Sequence, residues 1–377
     1  MDKNIEGIIN QALSGKSIEE IAKKAIPQIS VFGVGGAGCN IVSWIKEKGI
    51  SGAKIYALNT DAKHLSITKA DMRILLGYNI CGGLGCGGFP EQGAKAAEEA
   101  ADEIEKAISD SGLVFITAGL GGGTGTGASP VIAKIAKEVG ALTLGVVTIP
   151  FQVERARLMK AKDGLARLVE VCDAVIVIDN NRLRKVAGNL PLTQAFGVAN
   201  ELIATFIKNL SETIAVPSLV NLDFADLKAI ITRGGVCAIG VGEGQGDTKI
   251  EDAVERALNT QLLDIGELSK CEGALIHIEG GDDMTLEDVT KAGEIVVSRI
   301  APDAKVSWGA RVNSKMQGIV KVTVVLAGVD SPFLVKGLEP FGVLKRQPSS
   351  NEGEEVNIIE KTEKSEERKG LFGRVKR

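Results

Sequence analysis

The amino-acid sequence predicts an α/β protein in which a Rossmann-like domain with a parallel sheet is joined by one long central helix to a smaller α+β domain. Apolar runs such as 29–34, 113–117 and 141–149 alternate with segments of helical periodicity. Strands this apolar, separated by helices, are typical of a parallel sheet that is covered on both faces. Glycine-rich loops follow three of the strands, at the edge where such sheets bind ligands.

The composition limits the possible functions. The 377 residues exceed what one core normally serves, so two domains are expected, and 44% hydrophobic residues are ample for globular packing. A formal net charge of -4 argues against a general nucleic-acid binder. His64 and His277 are the two histidines in the sequence, too few for a histidine-rich metal site and an unpromising basis for histidine catalysis. We predict no metal ligands.

The cysteines lack the paired spacing of a metal site. They lie in apolar or glycine-rich stretches and indicate reduced, mostly buried thiols of a cytosolic protein. Cys81 and Cys86 share one loop, which leaves a metal or redox pair open as the alternative. The six positions are Cys39, Cys81, Cys86, Cys172, Cys237 and Cys271.

No stretch predicts a signal peptide or a membrane span. The first 24 residues mix charges with isolated apolar residues, and we predict a helical extension over 1–28. Residues 111–133 are uncharged but rich in glycine and contain Pro130, which fits a strand and loop better than a span. We therefore expect a soluble protein.

The first strand, 29–34, leads directly into the glycine motif of residues 33–38 and then into a helix through Lys46. Together with Asp61 about one strand later, this motif is the fingerprint of a dinucleotide-binding fold, and a nicotinamide or flavin oxidoreductase is the resulting alternative. A single motif of this kind is weak support.

A second and richer glycine loop, 119–127, lies between the strand 113–117 and another helix. Its glycines allow backbone N–H groups to converge on an anion, and the helix adds the positive end of its dipole. Thr124 and Thr126 contribute hydroxyl donors. The loop is not a Walker A motif, because no Gly-Lys-Ser/Thr follows. A dinucleotide-binding fold has no place for a second glycine loop. The phosphates of a nucleoside triphosphate can be held between two such loops of one parallel sheet.

The remaining elements follow in order. A third glycine loop, 82–91, comes between a short strand and a long helix, and the central helix begins at Leu192. The predicted strands are 54–59, 73–77, 141–149, 174–179, 236–241, 274–278, 305–308 and 319–327, and the predicted helices are 91–109, 155–170, 192–210, 251–260 and 285–299. The highly charged residues 351–377 predict a disordered tail.

This order of motifs resembles the FtsZ family of the tubulin/FtsZ superfamily over roughly residues 29–330. The matching stretches are GVGGAGCN (33–40), NTDA (59–62), GLGCGG (83–88), GGGTGTG (121–127), TIPF (148–151) and NLDFADL (221–227). The resemblance implies a tubulin/FtsZ fold with a GTP-binding domain (29–191), a central helix (192–215), a C-terminal α+β domain (216–330) and a flexible charged tail (331–377).

The resemblance also implies an activity. Members of this family bind GTP and GDP, with Mg²⁺ expected beside GTP, and polymerise head to tail into filaments of the cytoplasmic mid-cell division ring. The loop after the central helix of the next subunit completes the hydrolytic site. We therefore expect a homopolymer that activates its own GTPase, with no nucleic-acid partner.

Site residues are carried over position by position. The glycine loops are expected to hold the phosphates and adjacent sugar, Glu154 and Asn180 the ribose and base, and Phe196 to pack by the guanine. The implied nucleotide contacts are Gly35, Gly36, Asn40, Gly85, Cys86, Gly87, Gly88, Gly122, Gly123, Thr124, Gly125, Thr126, Glu154, Arg157, Asn180, Phe196, Asn200 and Glu201, and the implied catalytic residues are Asp223, Asp226 and Asn221.

The chain departs from the family pattern in several places. Glu201 stands where the base-contacting acid is usually Asp, and Phe89 stands at a position that is usually Asn or Asp. The expected phosphate-facing arginine aligns with Leu158, one residue after Arg157. A simpler interpretation of the acidic motif is that Asp223 only caps a helix.

Two tail segments, 340–347 and 371–377, are candidates for contacts with adaptor proteins or the membrane, with a solvated tail as the alternative. For the whole chain, the alternatives to a division-ring GTPase are a filament-forming paralogue with little turnover, which would serve cell shape, and the dinucleotide-binding oxidoreductase.

Overall fold

The computed structural model describes residues 27–215, 219–220, 222–232, 235–259, 268–329 and 333. The extension predicted before residue 27, the catalytic candidate Asn221 and the tail after residue 333 lie outside the described residues.

The described strands form one mixed sheet in the order β3-β2-β1-β4-β5-β6-β7-β10-β8-β9. Neighbours from β3 to β7 run parallel, whereas β10 is antiparallel to both β7 and β8. The strands are β1 Gln28–Val34, β2 Ala53–Asn59, β3 Met72–Leu75, β4 Ser111–Gly119, β5 Leu142–Ile149, β6 Ala174–Asp179, β7 Val236–Gln245, β8 Gly273–Gly280, β9 Lys305–Val312 and β10 Ile319–Ala327.

The described helices connect these strands. They are α1 Gly35–Lys48, α2 Ala62–Ile67, α3 Tyr78–Cys81, α4 Pro90–Glu99, α5 Ala101–Ile108, α6 Thr124–Val139, α7 Arg155–Val171, α8 Asn180–Ala187, α9 Leu192–Ala215, α10 Phe224–Ile231, α11 Lys249–Leu258 and α12 Leu286–Val297. In the described part of the chain no single helix is long and apolar enough to cross a membrane, and one pair, α8 and α9, passes only when its two helices, bent by 115°, are taken together.

The structure confirms the predicted α/β class and corrects several elements. The helix predicted over 91–109 is two helices, because Ala100 leaves the helical conformation with φ -96° and ψ 14°. Neither glycine nor proline stands at this break. A Cβ on Gly93 would lie 2.5 Å from the carbonyl oxygen of Gly123, so the backbone of α4 packs against the second glycine loop.

Helix α8 was not predicted, because its sequence is mostly polar. It starts where the side chain of Asp179 accepts a hydrogen bond from the N–H of Asn181, which is an N-cap. The central helix α9 ends at Ala215, the bound implied by the family resemblance, whereas its periodicity indicates an end near residue 210. Strand β7 extends to Gln245 rather than 241.

The core lies on both faces of the parallel strands, since every residue of β6 and nearly every residue of β1 and β4 is buried. Phe206 of α9 meets Phe115 of β4 edge to face at 6.1 Å between ring centroids. This contact holds the central helix on the sheet of the nucleotide-binding part.

A short seam joins the two parts of the sheet. Strands β6 and β7 pair only through Val175 with Val236 and Ile176 with Cys237, whereas β7 pairs with β10 along its whole length. The central helix α9 has 24 residues and so spans about 36 Å at ~1.5 Å per residue. The seam and α9 together link the two parts of the fold, and the domain boundaries given above stay a prediction.

Strand β7 presents a glycine face to α11. Gly240, Gly242 and Gly244 alternate along the strand and so lie on one side of it. A Cβ on Gly242 would lie 1.9 Å from the carbonyl oxygen of Ala253, and the other two glycines are equally close to the helix backbone. Strand and helix therefore pack backbone to backbone.

We expect Gly242→Ala to destabilise the fold by several kcal/mol, because a methyl group there overlaps backbone that cannot give way. Urea unfolding measures the loss. The matched control is Gly293→Ala in α12, where a Cβ meets open space and alanine gains about 0.5–1 kcal/mol. Equal effects of the two substitutions would contradict this packing.

His277 is a buried histidine in β8, 6% exposed, between β10 and β9. Its Nε2 has no hydrogen-bond partner among the described residues. Burial lowers the pKa of His277 from 6.5 to about 4; Glu279 acts in the opposite direction, and Arg311 and Lys321 add to the lowering. The folded chain therefore holds this ring neutral.

Because the unfolded chain binds a proton at His277 below about pH 6.5 and the folded chain does so only near pH 4, this group destabilises the fold as pH falls through that window. The loss is on the order of 3 kcal/mol. We expect His277→Gln to flatten the dependence of unfolding free energy on pH between 6.5 and 4. If the slope of unfolding free energy against pH is unchanged in the variant, His277 is not the source of this pH dependence, whatever the variant's absolute stability.

Candidate active site

The first two glycine loops touch each other at the carboxyl edge of the sheet. Their strands β1 and β4 are neighbours, with Val34 paired to Ala118 at their ends. Gly35 has a φ of +71°, and a Cβ there would lie 2.9 Å from the backbone nitrogen of Gly125. Only glycine allows this approach. The structure thus brings the two loops together, as their positions in the sequence predicted.

Two long helices begin at these loops. Helices α1 and α6 have 14 and 16 residues, and in the described structure no N-cap side chain bonds to either first turn and no acidic residue lies there. Their first N–H groups therefore need another acceptor. A Cβ on Gly36 or Gly122 would meet open space, so both loops have a free side. Two helix dipoles and these N–H groups suit a bound anion.

A small polar cluster lies at the start of α6. The hydroxyls of Thr124 and Thr60 are 2.7 Å apart, and the Cys86 sulfur is 3.3 Å from the Thr60 hydroxyl and 3.6 Å from that of Thr124. The sequence analysis missed Thr60, although it belongs to the NTDA motif. The cluster ties the second and third glycine loops to the end of β2.

Thr126 has a different role from Thr124. Its hydroxyl accepts the N–H of Gly121 at 2.8 Å, and the residue is 2% exposed. Gly121 has a φ of +99°, so this hydrogen bond holds the tight turn at the start of the loop. The Thr126 side chain therefore also shapes the loop. This hydrogen bond uses only an oxygen lone pair, and the predicted donation from the Thr126 O–H to phosphate stays a prediction.

The third glycine loop packs on the second. A Cβ on Gly123 would lie 2.7 Å from the Cβ of Cys86. Lys160 of α7 donates to the carbonyl oxygen of Gly88 at 2.6 Å and lies 5.6 Å from the ring centroid of Phe89, which is 60% exposed. Gly85 and its neighbours 87 and 88 have positive φ. Lys160 was not predicted, and it places a positive charge beside this loop.

Asn40 lies on α1 beside a histidine. Its Oδ1 is 3.2 Å from Nε2 of His64, and Nδ1 of the same ring is 3.3 Å from the side-chain nitrogen of Asn59. His64 lies in α2, which Asp61 caps by accepting the N–H of His64. The contact with His64, whose helix Asp61 caps, thus orients Asn40 at the edge of the first loop.

Glu154 and Arg157 form an ion pair at the start of α7, with 2.7 Å between Nη1 and Oε2. Glu154 also accepts the N–H of Phe151 at 3.1 Å. A Cβ on Gly121 would lie 2.8 Å from the carbonyl oxygen of Arg157. Arg157 therefore adjoins the second glycine loop, Glu154 is paired with it, and the Arg157 side chain is largely exposed.

An apolar pocket opens beside this pair. Phe151 and Phe196 form its aromatic side, with ring centroids 6.2 Å apart in an edge-to-face arrangement. Its volume is about 210 Å³. Helix α8, which begins at Asn180, supplies another wall through Leu183 and Ala187. A planar base fits such a pocket, and Phe151 is a wall that the sequence analysis missed.

Glu201 of α9 does not line this apolar pocket. Its carboxylate accepts from Nε1 of Trp44 at 2.9 Å and from the Thr205 hydroxyl at 3.1 Å, and it pairs with Lys48. Burial acts to raise its pKa, but the hydrogen bonds from Lys48 and Trp44 outweigh burial and hold the pKa below its usual value.

The hydrogen bonds with Trp44 and Lys48 place Glu201 beside α1, and the predicted contact of Glu201 with the base stays a prediction. Glu201 faces a polar cleft between α9 and the second part of the sheet, together with Lys208 and Asn209, and does not line the apolar pocket. Asn200 comes four residues after Phe196, and residues spaced by four share a helix face. Helix geometry therefore directs Asn200 toward the pocket side of α9.

The acidic pair lies at the start of α10. Asp223 is its N-cap and accepts the N–H of Asp226 at 2.7 Å. Asp226 in turn accepts from the Ser307 hydroxyl of β9 at 3.3 Å. Val220 forms a bridge with Ala310 in the same strand. Asp223 therefore caps α10 and Asp226 is linked to β9, while the catalytic role of both acids stays a prediction.

The structure does not bring the acids to the glycine loops. Strand β9 lies at one edge of the sheet, six positions from β4. At ~4.8 Å per strand this is about 29 Å. Within one chain, Asp223 and Asp226 are therefore far beyond contact distance of anything bound at the glycine loops.

The comparisons with known proteins cover both parts of the fold. The model described as "Tubulin/FtsZ family, GTPase domain" matches residues 28–188, and the model described as "FtsZ family, C-terminal domain" matches residues 235–330.

Individual relatives agree. The chain is 47% identical over 346 residues to "Cell division protein FtsZ 2" of Methanocaldococcus jannaschii, covering 90% of each protein, and 47% identical over 308 residues to "Cell division protein FtsZ 1" of Archaeoglobus fulgidus, covering 81% of this chain and 83% of that protein. A solved structure described as "FtsZ dimer, empty (M. jannaschii)" has a TM-score of 0.75 and 42% identity, covering 86% of this chain and 92% of that one. The chain therefore belongs to the tubulin/FtsZ family of GTPases.

Proposed function

We propose that this GTPase hydrolyses GTP at a site shared between two copies of the chain, with GTP on the glycine loops of one copy and Asp223 and Asp226 from the next. Membership of the GTPase family implies that the chain binds GTP and GDP, which supports placing them at the glycine loops. The observation that carries the proposal is the separation of about 29 Å between the loops and the acids along one sheet.

A head-to-tail contact would join the two half-sites. Such a contact uses different surfaces on the two copies, so it does not close and produces a filament. Exposed apolar side chains lie at both ends: Leu84 (88% exposed) and Phe89 beside the glycine loops, and Leu219 (78% exposed) just before the acidic motif. Stacking would bury both groups, and one solved relative is described as an FtsZ dimer.

The nucleotide is expected to lie along the carboxyl edge of the sheet. Its α- and β-phosphates would accept N–H groups of the first two loops, at Gly35, Gly36 and 122–126, and its γ-phosphate would lie against the third loop. The guanine would occupy the pocket between Phe151 and Phe196. Asn200 could donate to guanine O6 and accept from N1–H, since an amide carries both groups.

Mg²⁺ is expected to arrive with the triphosphate, which supplies oxygen ligands of its own. Among the described residues, no group of three or more His, Cys, Asp or Glu side chains could hold a metal ion. The phosphate oxygens and water would therefore make up most of the coordination shell, beside the hydroxyls of Thr60 and Thr124.

The chemistry follows from the second half-site. A water molecule held by Asp223 and Asp226 would attack the γ-phosphorus opposite the bridging oxygen, and the bond from phosphorus to that oxygen would break, leaving GDP. The carboxylates would orient the water and accept its proton, and Lys160 would lie beside the charged γ-phosphate. Bringing two carboxylates near a triphosphate is unfavourable in itself, so contacts between copies must supply the energy.

In the cell, a filament of this kind would serve as the scaffold of the cytoplasmic division ring at mid-cell, in line with the names of the relatives. Tail residues 331–377 would then supply contacts to adaptor proteins. The exposed Phe89 in the γ-phosphate loop is the one observation that favours the second candidate, a filament with little turnover for cell shape. The oxidoreductase alternative is not supported, because the GTPase family model includes both glycine motifs.

We expect turnover per subunit to appear only above a threshold protein concentration, together with a rise in light scattering. Asp223→Asn and Asp226→Asn should bind GTP with wild-type affinity and lower turnover on the order of 10²-fold or more. Asparagine keeps the helix cap, so the Asp223→Asn loss isolates the charge. Asp282→Asn, an exposed acid of the same part of the fold, is the control. Turnover that is independent of concentration would rule out a shared site.

We also expect Asn200→Ala to weaken GTP binding by about 10- to 100-fold through a lost hydrogen bond. Glu201→Gln should leave GTP affinity within about twofold, because its partners are Trp44 and Lys48. Fluorescent GTP titration compares the two variants. The reverse ranking would show that Glu201 contacts the base.

Mixing variants tests the shared site directly. Asn200→Ala lacks GTP at low nucleotide concentration but supplies intact acids, whereas Asp226→Asn binds GTP and lacks an acid. The mixture should hydrolyse GTP faster than the sum of the two separate preparations. Strict additivity would mean that each chain uses only its own acids.

A further inference from the structure

Two cysteine sulfurs face each other beside the third glycine loop. Cys81 ends α3 and Cys86 lies five residues later, and their sulfur atoms are 3.6 Å apart. Both are free thiols. A disulfide bond of about 2.05 Å requires an approach of roughly 1.5 Å, which side-chain rotation and a small backbone shift can supply.

The segment between them permits that shift. It consists of Gly82, Gly83, Leu84 and Gly85, and its three glycines all have positive φ. The backbone is tied to the end of β2, because the N–H of Ala62 donates to Gly83 at 2.9 Å and the N–H of Gly85 donates to Thr60 at 3.1 Å. The sulfurs are thus kept close while the chain between them can adjust.

Access distinguishes the two thiols. Cys86 is 7% exposed, and Cys81 is partly exposed. A small oxidant therefore meets Cys81 first, and Cys86 is positioned to resolve the product. Burial, together with the hydrogen bond with Cys86, raises the pKa of Cys81 to about 11. The thiolate is thus scarce at neutral pH, and reaction should accelerate as pH rises.

We propose that Cys81 and Cys86 are a modification site that forms a reversible disulfide and thereby regulates the nucleotide half-site. A small-molecule disulfide is the oxidant. The Cys81 thiolate attacks one of its sulfurs and expels one thiolate; the Cys86 thiolate then attacks the Cys81 sulfur and expels the second. The two protein thiols are oxidised, one disulfide is reduced to two thiols, and the two protons released from the cysteines end on these thiols.

The link to the nucleotide rests on the proposed function. In the reduced chain, the Cys86 sulfur touches the hydroxyls of Thr60 and Thr124, and its Cβ packs on Gly123. A disulfide bond with Cys81 draws the Cys86 sulfur away from the Thr60 and Thr124 hydroxyls and fixes the third glycine loop closer to Cys81. A displacement of about 1 Å at such a loop can reduce turnover by 10- to 100-fold. Bound nucleotide should slow oxidation in return, since coupling is reciprocal.

The test uses the reduced full-length chain treated with oxidised glutathione. Thiol titration should fall from six reactive groups in denaturant to four, and mass spectrometry should find the peptides of Cys81 and Cys86 joined with the loss of two hydrogens. The rate should rise with pH. Cys81→Ser should lose the reaction, and Cys172→Ser, a buried and distant thiol, should keep it.

Several results would overturn the site: a stable glutathione adduct on Cys81 without ring closure, a linkage that involves another cysteine, or no reaction at any pH. GTP turnover of the oxidised chain should fall at least tenfold and return with reductant, while oxidised Cys81→Ser stays at its reduced rate. Unchanged turnover and GTP affinity in a chain shown to be cross-linked would overturn the regulation alone. Absence of turnover in the reduced chain would instead overturn the proposed function and leave the disulfide result standing.

Discussion

The rest of the site depends on the close approach of the loops that follow β1 and β4. Gly35 and Gly125 come so close that a single Cβ on Gly35 would lie 2.9 Å from backbone nitrogen. This approach directs the first turns of α1 and α6 to one place, and neither helix in the described structure has a side-chain cap of its own. Anion binding is the consequence, because unpaired N–H groups and two helix dipoles meet there.

The third loop completes the site by packing on the second. Gly123 leaves room for Cys86, and the hydroxyls of Thr60 and Thr124 join the two loops through a short polar contact. A change in the position of Cys86 is therefore felt at the start of α6. This is why the oxidation state of the Cys81 and Cys86 thiols can matter for a nucleotide bound at the second and third loops.

A single extended sheet separates the two halves of the chemistry. The acids are fixed to β9 by Ser307 and by the bridge of Val220 with Ala310, whereas the glycine loops proposed to hold the phosphates follow β1 and β4. The seam between β6 and β7 and the buried helix α9 hold this separation. Under the proposed function, hydrolysis is linked to assembly because the acids of a second copy complete the site.

The sequence by itself determined the class of fold, the order of the strands and helices along the chain and the positions of the glycine loops, because apolar periodicity and glycine spacing are local properties. Only the tertiary structure decided where side chains such as Glu201 and Thr126 point and where the helix breaks at Ala100. Glu201 is the clearest case: its motif gives only its place on α9, whereas Trp44 and Lys48, more than 150 residues earlier, fix the orientation of its carboxylate. Such contacts depend on which distant residues the fold brings together, and no spacing along the chain records them.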